Sequence, residues 1–126
     1  MKIKRILTID DEVNFGRLIK LNLELTGGFK VSTATSGRQG IELAKKIKPD
    51  LILLDILMPE MNGFETLEIL KKDKDTAGIP VVMLTAKGDE ASMAKVKQLC
   101  GELYVTKPIE SSELKAKIEW VLKKKG

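Results

Sequence analysis

Short apolar runs recur along the chain and alternate with longer segments in which charged and apolar residues are mixed. The third and fourth runs are apolar at every position, which is typical of strands buried on both faces. In the mixed segments apolar residues recur at helical spacing, as at Leu18, Leu21 and Leu25. The apolar runs, which are the predicted strands, are residues 6–9, 29–31, 51–54, 81–84 and 103–105.

The alternation of strands and helices predicts βαβ crossovers, which place a parallel sheet between two layers of helices. Local signals agree with this pattern. Ser36 is placed to cap the second helix, and Gly27 and Gly28 are placed to end the first. Ser111 or Ser112 can open the last helix, for which we predict a packing stripe of Leu114, Ile118, Val121 and Leu122. The sequence therefore predicts an α/β fold, an open doubly wound sandwich of five strands and five helices.

Length and composition narrow the class of protein. A chain of 126 residues fits one domain, so we expect no effector domain within it. The absence of histidine and the single cysteine exclude most transition-metal sites and nucleophile systems built on a histidine. No apolar stretch approaches the roughly 20 residues of a membrane span, and the run after the basic start is too short for a signal peptide. We expect a cytoplasmic protein without a membrane partner.

The net charge of +4 comes from lysines spread through the predicted helices and the end of the chain. Basic patches that bind nucleic acid usually carry interleaved aromatic residues, and aromatic residues make up only 4% of this chain. We therefore interpret the lysines as solvated helix faces and expect no direct nucleic-acid partner.

The most informative polar residues stand just after the apolar runs. In chain order they are Asp10, Asp11, Glu12, Asp55, Thr85 and Lys107. The carboxyl ends of parallel strands form one edge of an open α/β sheet, and ligands bind at that edge. We therefore expect carboxylates, a hydroxyl and an ammonium group to converge on one small site.

These groups suit phosphoryl transfer. Crowded carboxylates repel one another unless a cation lies among them, and oxygen ligands favour a hard ion such as Mg²⁺. Asp55 is the candidate nucleophile, because a carboxylate can form an aspartyl phosphate. Thr85 can donate a hydrogen bond to a phosphoryl oxygen, and Lys107 can pair with a carboxylate or phosphoryl oxygen. Each residue alone also fits a structural role, such as a helix cap or a surface lysine, and only their joint occurrence favours this chemistry.

Four motifs in a fixed order carry a resemblance to a known family. They lie at residues 9–12 (IDDE), 53–63 (LLDILMPEMNG), 84–86 (LTA) and 104–108 (YVTKP). The set resembles the response-regulator receiver domains of bacterial two-component signalling, with the fold of the single-domain chemotaxis regulators. The resemblance covers essentially the whole chain. It implies a flavodoxin-like sheet with strand order 2-1-3-4-5 and one receiver domain over residues 1–126.

The resemblance implies a role for each candidate residue. Asp55 is implied as the phosphoacceptor, and Asp10 and Asp11 are implied to bind Mg²⁺ or Mn²⁺ directly or through water. Asp55 itself and the main-chain carbonyl of Leu57 complete the implied set of metal ligands. These roles agree with the chemistry argued from the residues.

A conformational switch is implied as well. In such domains the hydroxyl at Thr85 moves toward the phosphoryl group and the ring at Tyr104 turns inward. Lys107 is implied to pair with Asp55 or its phosphate, and the Lys107–Pro108 peptide bond is implied to be cis. Tyr104 is three residues from Lys107 and so should lie on the other face of the sheet.

The implied partners are proteins. A sensor histidine kinase or a phosphotransfer protein would supply the phosphoryl group, and a downstream protein would bind the surface formed by the fourth helix, fifth strand and fifth helix. Trp120 lies off the packing stripe of the last helix and is a candidate contact for a partner or a phosphorylation-dependent dimer. The protein is expected to catalyse its own phosphorylation and slow hydrolysis and not to be a metabolic enzyme.

The chain departs from the family pattern at several positions. Residues 100–103 (CGEL) differ from the common sequence at that corner, and Cys100 is expected to be a small buried hydrophobic residue. Ile109 stands where phenylalanine is frequent. Leu57 and Lys87 occupy the two positions that tune the lifetime of the phosphoryl group in this family, so the lifetime cannot be inferred.

Three other hypotheses compete with the receiver interpretation. A haloacid-dehalogenase-like phosphatase also forms an aspartyl phosphate, but it needs an Asp-x-Asp signature and residues 10–13 are DDEV. A nucleotide or flavin binder needs a Gly-rich or Ser/Thr-rich loop after the first strand, where this chain has three acids. A pseudo-receiver that binds partners without being phosphorylated is the strongest alternative.

Overall fold

The computed structural model describes residues 3–86, 89–100 and 104–125. Strands and helices alternate along these ranges, and a π-helical turn, Leu23–Gly27, extends the first helix. The strands are β1 (Arg5–Ile9), β2 (Lys30–Ala34), β3 (Leu51–Asp55), β4 (Val81–Ala86) and β5 (Tyr104–Lys107). The helices are α1 (Val13–Asn22), α2 (Gly37–Ile47), α3 (Gly63–Lys72), α4 (Glu90–Cys100) and α5 (Ser111–Lys125).

All five strands form one parallel sheet in the order β2-β1-β3-β4-β5. This arrangement confirms the predicted fold class and strand order. β3 is the central strand and is buried at all five positions, because helices cover both faces of the sheet. At the carboxyl edge Ile9 pairs with Leu54, and Asp55 pairs with Leu84.

Two apolar cores fill the space between the sheet and its helix layers. One core joins α1 and α5 to the sheet and contains Ile6, Leu53 and Ile118. The other joins α2, α3 and α4 to the opposite face and contains Leu7 and Leu54. Neighbouring residues of one strand thus face different cores, as the alternation of side chains along a strand requires.

The first helix differs from its sequence pattern in which face is buried. Leu18, Leu21 and Leu25 are 56%, 56% and 76% exposed, whereas Ile19 and Leu23 pack into the core. The helical spacing is correct, but the regularly spaced leucines form the solvent face. Hydrophobic periodicity predicts the helix, but it does not indicate which of two apolar stripes packs against the sheet.

The second strand is shifted toward the carboxyl end relative to the predicted run at residues 29–31. It continues through Ser32 and Thr33, which pair with Leu7 and Thr8 of β1. β2 is an edge strand, so its polar residues can face water while Val31 packs into the core. The apolar run therefore marked only the start of this strand.

The predicted helix ends at Ser36 and Gly28 are confirmed. The Ser36 hydroxyl accepts a hydrogen bond from the Gln39 amide at 3.1 Å and caps α2. Gly28 ends the π-helical turn with φ of 71°, a conformation that favours glycine. In the ranges that the structure describes, no helix is both long enough and apolar enough to cross a membrane.

Candidate functional site

The candidate residues meet at the carboxyl edge of the sheet because each ends or follows a parallel strand. Asp10 comes directly after β1, Asp55 is the last residue of β3, and Lys107 is the last residue of β5. Thr85 is next to last in β4, between β3 and β5. The strand order therefore brings to one edge side chains that are up to 97 positions apart in the chain.

The loop after Asp55 is fixed by the start of α3. The Gly63 amide donates to the Ile56 carbonyl at 2.8 Å, and a Cβ atom at Gly63 would collide with the carbonyl oxygen of Asp55. Asn62 caps α3 reciprocally with Glu65, since each side chain accepts from the other residue's amide. Leu57, whose carbonyl is the implied metal ligand, lies in this loop with an exposed side chain.

Lys107 joins the carboxylates of the site. Its side chain is only 17% exposed, and it forms ion pairs with a buried Asp10, a largely buried Asp55 and an exposed Glu12. The Lys107 Nζ distances are 2.7 Å to Asp10 Oδ2, 3.2 Å to Glu12 Oε1 and 3.3 Å to Asp55 Oδ1. One ammonium group thus balances charge from β1, the start of α1, and β3.

Asp10 is held by backbone as well as by charge. Its Oδ1 accepts a hydrogen bond from the Glu12 amide at 2.9 Å, while its own amide donates to the Ala34 carbonyl at 3.0 Å. Glu12 occupies the N-cap position of α1, but its side chain makes no capping hydrogen bond and instead pairs with Lys107. The Glu12 side chain therefore does not cap this helix.

The pKa values of the charged groups in the site are shifted by burial and by neighbouring charges. Burial raises the pKa of Asp55 to about 6, the charge of Asp10 adds to the increase, and Lys107 opposes it. Burial likewise raises the pKa of Asp10 despite its hydrogen bond with Lys107. Burial acts to lower the pKa of Lys107, but the hydrogen bond with Asp10 and the charge of Asp55 outweigh it, so this pKa lies above its ordinary value.

The acidic cluster fits a divalent cation. Asp10, Asp11 and Asp55 each present a carboxylate oxygen, and these oxygens all lie within 4.8 Å of one another. An oxygen-only set with two buried members suits a hard ion such as Mg²⁺, which keeps part of its water shell. The raised pKa of Asp55 points the same way, because a bound cation would stabilise this buried carboxylate in its charged form.

Thr85 and Tyr104 lie on the same face of the sheet, because Met83 pairs with Tyr104 and Thr85 pairs with Thr106. Thr85 is fully buried, and its hydroxyl donates to the Thr106 hydroxyl at 3.4 Å. Tyr104 is half-buried against the core of α2, α3 and α4, the face opposite to that of Val105. The Lys107–Pro108 peptide bond is cis.

Sequence reasoning missed two contacts of the site. It gave no role to Phe15, whose ring centroid lies 4.2 Å from Lys107 Nζ, or to Thr106, which receives the Thr85 hydroxyl. Phe15 stands in the first turn of α1, and nothing in its spacing from Asp10 marks it. Lys87, Leu103, the corner at residues 101–103 and the side chain of Cys100 lie outside the described residues.

A groove lies between β5 and α5, which we name the β5 groove. It has a volume of about 810 Å³ and contains Trp120, which is 42% exposed as its place off the packing stripe predicts. The ammonium groups of Lys117 and Lys124 lie 5.6 Å and 4.7 Å from its ring centroid. The lining residues are Tyr104, Val105, Thr106, Glu113, Ala116, Lys117 and Trp120.

Comparison with known proteins agrees with this fold and site. Residues 6–119 match the family model described as response regulator receiver domain. The chain is 38% identical over 120 residues to the DNA-binding dual master transcriptional regulator RpaA of Synechocystis, which covers 95% of this chain and 49% of that protein. The chain thus spans about half the length of the curated relatives it matches.

Solved structures give the same result. Chemotaxis protein CheY4 of Vibrio cholerae has a TM-score of 0.85 at 25% identity, covering 95% of this chain and 99% of that one. A response regulator receiver domain protein from Clostridium thermocellum has a TM-score of 0.87 at 29% identity, covering 98% and 97%. The chain belongs to the family of response regulator receiver domains of two-component systems.

Proposed function

We propose that this receiver domain is a phosphoacceptor switch that takes a phosphoryl group from a phosphohistidine onto Asp55. The observation that carries the proposal is the meeting of Asp10, Asp11 and Asp55 within 4.8 Å, with the Lys107 ammonium paired to two of them. A carboxylate nucleophile, a place for a divalent cation and a fixed ammonium group are the parts that phosphoryl transfer to an aspartate needs.

In the proposed transfer an Oδ atom of Asp55 attacks phosphorus, an O–P bond forms, and the P–N bond of the phosphohistidine breaks. The bonding electron pair leaves with the imidazole nitrogen, so no outside oxidant or reductant is involved. Lys107 stabilises the charge on the phosphoryl oxygens, and Thr85 donates its hydroxyl to one of them. Mg²⁺ or Mn²⁺, held by Asp10, Asp11, Asp55 and the Leu57 carbonyl, would neutralise further charge on these oxygens.

The same contacts support a proposed conformational switch. In the structure the Thr85 hydroxyl pairs with Thr106, so a move toward the phosphoryl group gives up that bond and frees space beside β5. Tyr104 lines the β5 groove and turns inward into that space, which changes the shape of the groove. The β5 groove would thus have two conformations, and phosphorylation of Asp55 would shift the population from one to the other.

The proposed partners are proteins on two surfaces. A sensor histidine kinase or phosphotransfer protein must reach Asp55 at the carboxyl edge of the sheet. A downstream protein, or a second copy of this chain, would bind the face of α4, β5 and α5, where the β5 groove and Trp120 lie. The relative RpaA is named as DNA-binding, but the match covers only 49% of it, so we propose that residues 1–126 act through protein contacts and not on DNA.

We further propose that residues 1–126 form one receiver domain, act in the cytoplasm and serve no metabolic reaction. The domain would catalyse only its own phosphorylation and the slow hydrolysis of the aspartyl phosphate. The pseudo-receiver alternative has no support from the acidic cluster, since a partner-binding module needs neither the three carboxylates nor the ion-paired lysine.

Intact mass tests the proposal. Wild type and Asp55→Asn are incubated with acetyl phosphate and Mg²⁺, with a parallel sample in EDTA. We expect one added phosphoryl group in the wild type with Mg²⁺, and none in Asp55→Asn or in EDTA. A wild type that gains no phosphoryl group would support the pseudo-receiver, and an equal gain in Asp55→Asn would show that Asp55 is not the acceptor.

A further inference from the structure

Among the described residues, the Lys107 ammonium has one neighbouring side chain that is an aromatic ring and not a carboxylate. Its Nζ lies 4.2 Å from the centroid of the Phe15 ring. Phe15 is half-buried and packs against the core between the sheet, α1 and α5, so the backbone of α1 and this core hold the ring in place. A cation over the face of an aromatic ring is attracted by the negative face of its quadrupole, most strongly where water is excluded.

The four neighbours of the ammonium among the described residues differ in their role once metal and a phosphoryl group are bound. Asp10, at 2.7 Å, is also a proposed Mg²⁺ ligand, so bound metal would compete with Lys107 for it. Asp55 would carry the phosphoryl group, and Glu12 is 66% exposed, so solvent screens its charge. The Phe15 ring neither ligates metal nor reacts, and this contact is free of such competition.

The ring also differs from a carboxylate in its effect on charge. A carboxylate neutralises the ammonium group that it holds, whereas a ring attracts the cation and leaves its full charge for another anion. The ring can therefore hold the Lys107 ammonium near Asp55 without neutralising its charge.

We propose that Phe15 is a positioning residue for phosphoryl transfer: its ring keeps the Lys107 ammonium beside Asp55 when Mg²⁺ takes Asp10. This inference rests on the proposed function of Asp55. Phe15 touches no reacting atom and acts only through Lys107.

Phe15→Leu keeps an apolar side chain and removes the ring, and Phe15→Tyr restores a ring. With acetyl phosphate and saturating Mg²⁺, we expect the maximal rate of phosphoryl uptake to fall about threefold to tenfold in Phe15→Leu, in line with the strength of a partly buried cation–ring contact. The half-saturating acetyl phosphate concentration should not change, and Phe15→Tyr should recover most of the rate. Phe29→Leu, in the same core, controls for lost packing and should keep the wild-type rate.

A spectroscopic signature separates positioning from a structural role. The ε-methylene protons of Lys107 should show an upfield ring-current shift in the wild type by NMR. That shift should persist with Mg²⁺ and beryllofluoride and be absent in Phe15→Leu. Loss of the shift when the wild type is loaded would overturn the proposal, because the ammonium would then have left the ring.

The kinetic outcomes are also decisive. Equal rate losses in Phe15→Leu and Phe29→Leu, or in Phe15→Leu and Phe15→Tyr, would overturn the role of Phe15. If the wild type takes up a phosphoryl group and Phe15→Leu does so at the same rate, this inference alone would be overturned. A wild type that takes no phosphoryl group would instead overturn the proposed function of Asp55.

Discussion

The two edges of the sheet differ in their hydrogen bonds. The β2 edge is closed, in that side chains bond to its outward-facing backbone at Val31. The Val31 amide donates to Glu24 Oε2 at 2.9 Å, and Lys20 Nζ donates to the Val31 carbonyl at 2.7 Å. Lys20 and Glu24 also pair with each other at 3.0 Å. The hydrogen bond from Val31 and that from Lys20 hold the pKa of Glu24 below its ordinary value. An edge strand bonded in this way is protected against pairing with another chain.

The β5 edge is open by comparison. Among the described residues, no side chain bonds to the backbone of residues 104–106, and this strand borders the β5 groove beside the exposed Trp120. Three lysines nearby lie over aromatic rings, and none of them has a carboxylate ion-pair partner in the described ranges: Lys97, Lys117 and Lys124. Their ammonium groups can accept carboxylates of a partner.

The difference between the edges indicates where the molecule can change shape. Lys107, at the end of β5, reaches Asp10 and Asp55 on the central strands. The open edge is therefore the one joined by an ion pair to the proposed phosphorylation site, whereas the closed edge is fixed by local bonds. A change of charge at Asp55 should move β5 and its groove and leave β2 in place.

Lys107→Met should have the largest effect, because it cuts the ionic link between β5 and the carboxylates. We expect the rate of phosphoryl uptake from acetyl phosphate to fall about a hundredfold, as when one stabilising donor is removed from an active site. Intact mass followed over time measures the rate. Lys45→Met, which breaks the ion pair with Asp73 away from the site, is the control. A rate in Lys107→Met equal to that of the control would contradict the link.

Asp55→Asn should stabilise the folded chain by about 2 kcal/mol near neutral pH, since it removes a buried charge. The pKa of Asp55 is about 6 in the folded state against 3.8 for an ordinary aspartate, so between these values the folded state binds more protons than the unfolded state. Wild-type stability therefore falls as the pH rises through this window. Asparagine does not titrate, so the advantage of the variant should grow from about pH 4 to about pH 7.

Urea unfolding of wild type and Asp55→Asn at both ends of this window, without Mg²⁺, measures the difference. If the difference in stability between the variant and wild type is the same at both pH values, the pKa of Asp55 is not raised by burial and neighbouring charge.

Trp120→Ala tests the open edge. If a second copy uses the β5 groove, wild type with Mg²⁺ and beryllofluoride should self-associate more strongly than without them, and loss of this ring should weaken the association about tenfold, as for an aromatic interface residue. Sedimentation velocity over a range of concentrations measures it. If the substitution leaves self-association unchanged both with and without beryllofluoride, Trp120 is not part of the interface.

Glu24→Gln should have the smallest effect and should be confined to the closed edge. Without its charge the side chain holds Lys20 and the Val31 amide less strongly, so hydrogen exchange at Val31 should become a few-fold faster. Phosphoryl uptake should stay at the wild-type rate. Glu68→Gln, at an exposed pair with Lys72, is the matched control. Slower phosphoryl uptake in Glu24→Gln would mean that the two edges are coupled after all.

The sequence predicts most of the fold because buried parallel strands leave continuous apolar runs, as β3 and β4 do. It predicts the position of the site because strand ends carry Asp10, Asp55, Thr85 and Lys107, and the strand order brings these ends together. Strand β2 was predicted only in part, since an edge strand accepts polar residues on its exposed side.

Contacts between side chains from distant parts of the chain could not be predicted. The Phe15 ring meets Lys107 because α1 packs on β1 and β2 and the Lys107 side chain reaches toward Asp10 at the end of β1. Spacing within either segment carries no sign of this contact. The same is true of the Thr85–Thr106 pair and of the bonds that close the β2 edge at Val31. Such contacts depend on packing, which apolar periodicity specifies only coarsely.

Charge at Asp55 is expected to alter the β5 edge and to leave the β2 edge unchanged. Amide NMR of the wild type with Mg²⁺, with and without beryllofluoride, compares the two edges in one experiment. We predict large shifts at residues 104–107 and at the Trp120 indole, small shifts at residues 30–34, and none of these in Asp55→Asn. Shifts of equal size at both edges, or shifts confined to the immediate surroundings of Asp55, would contradict the claim.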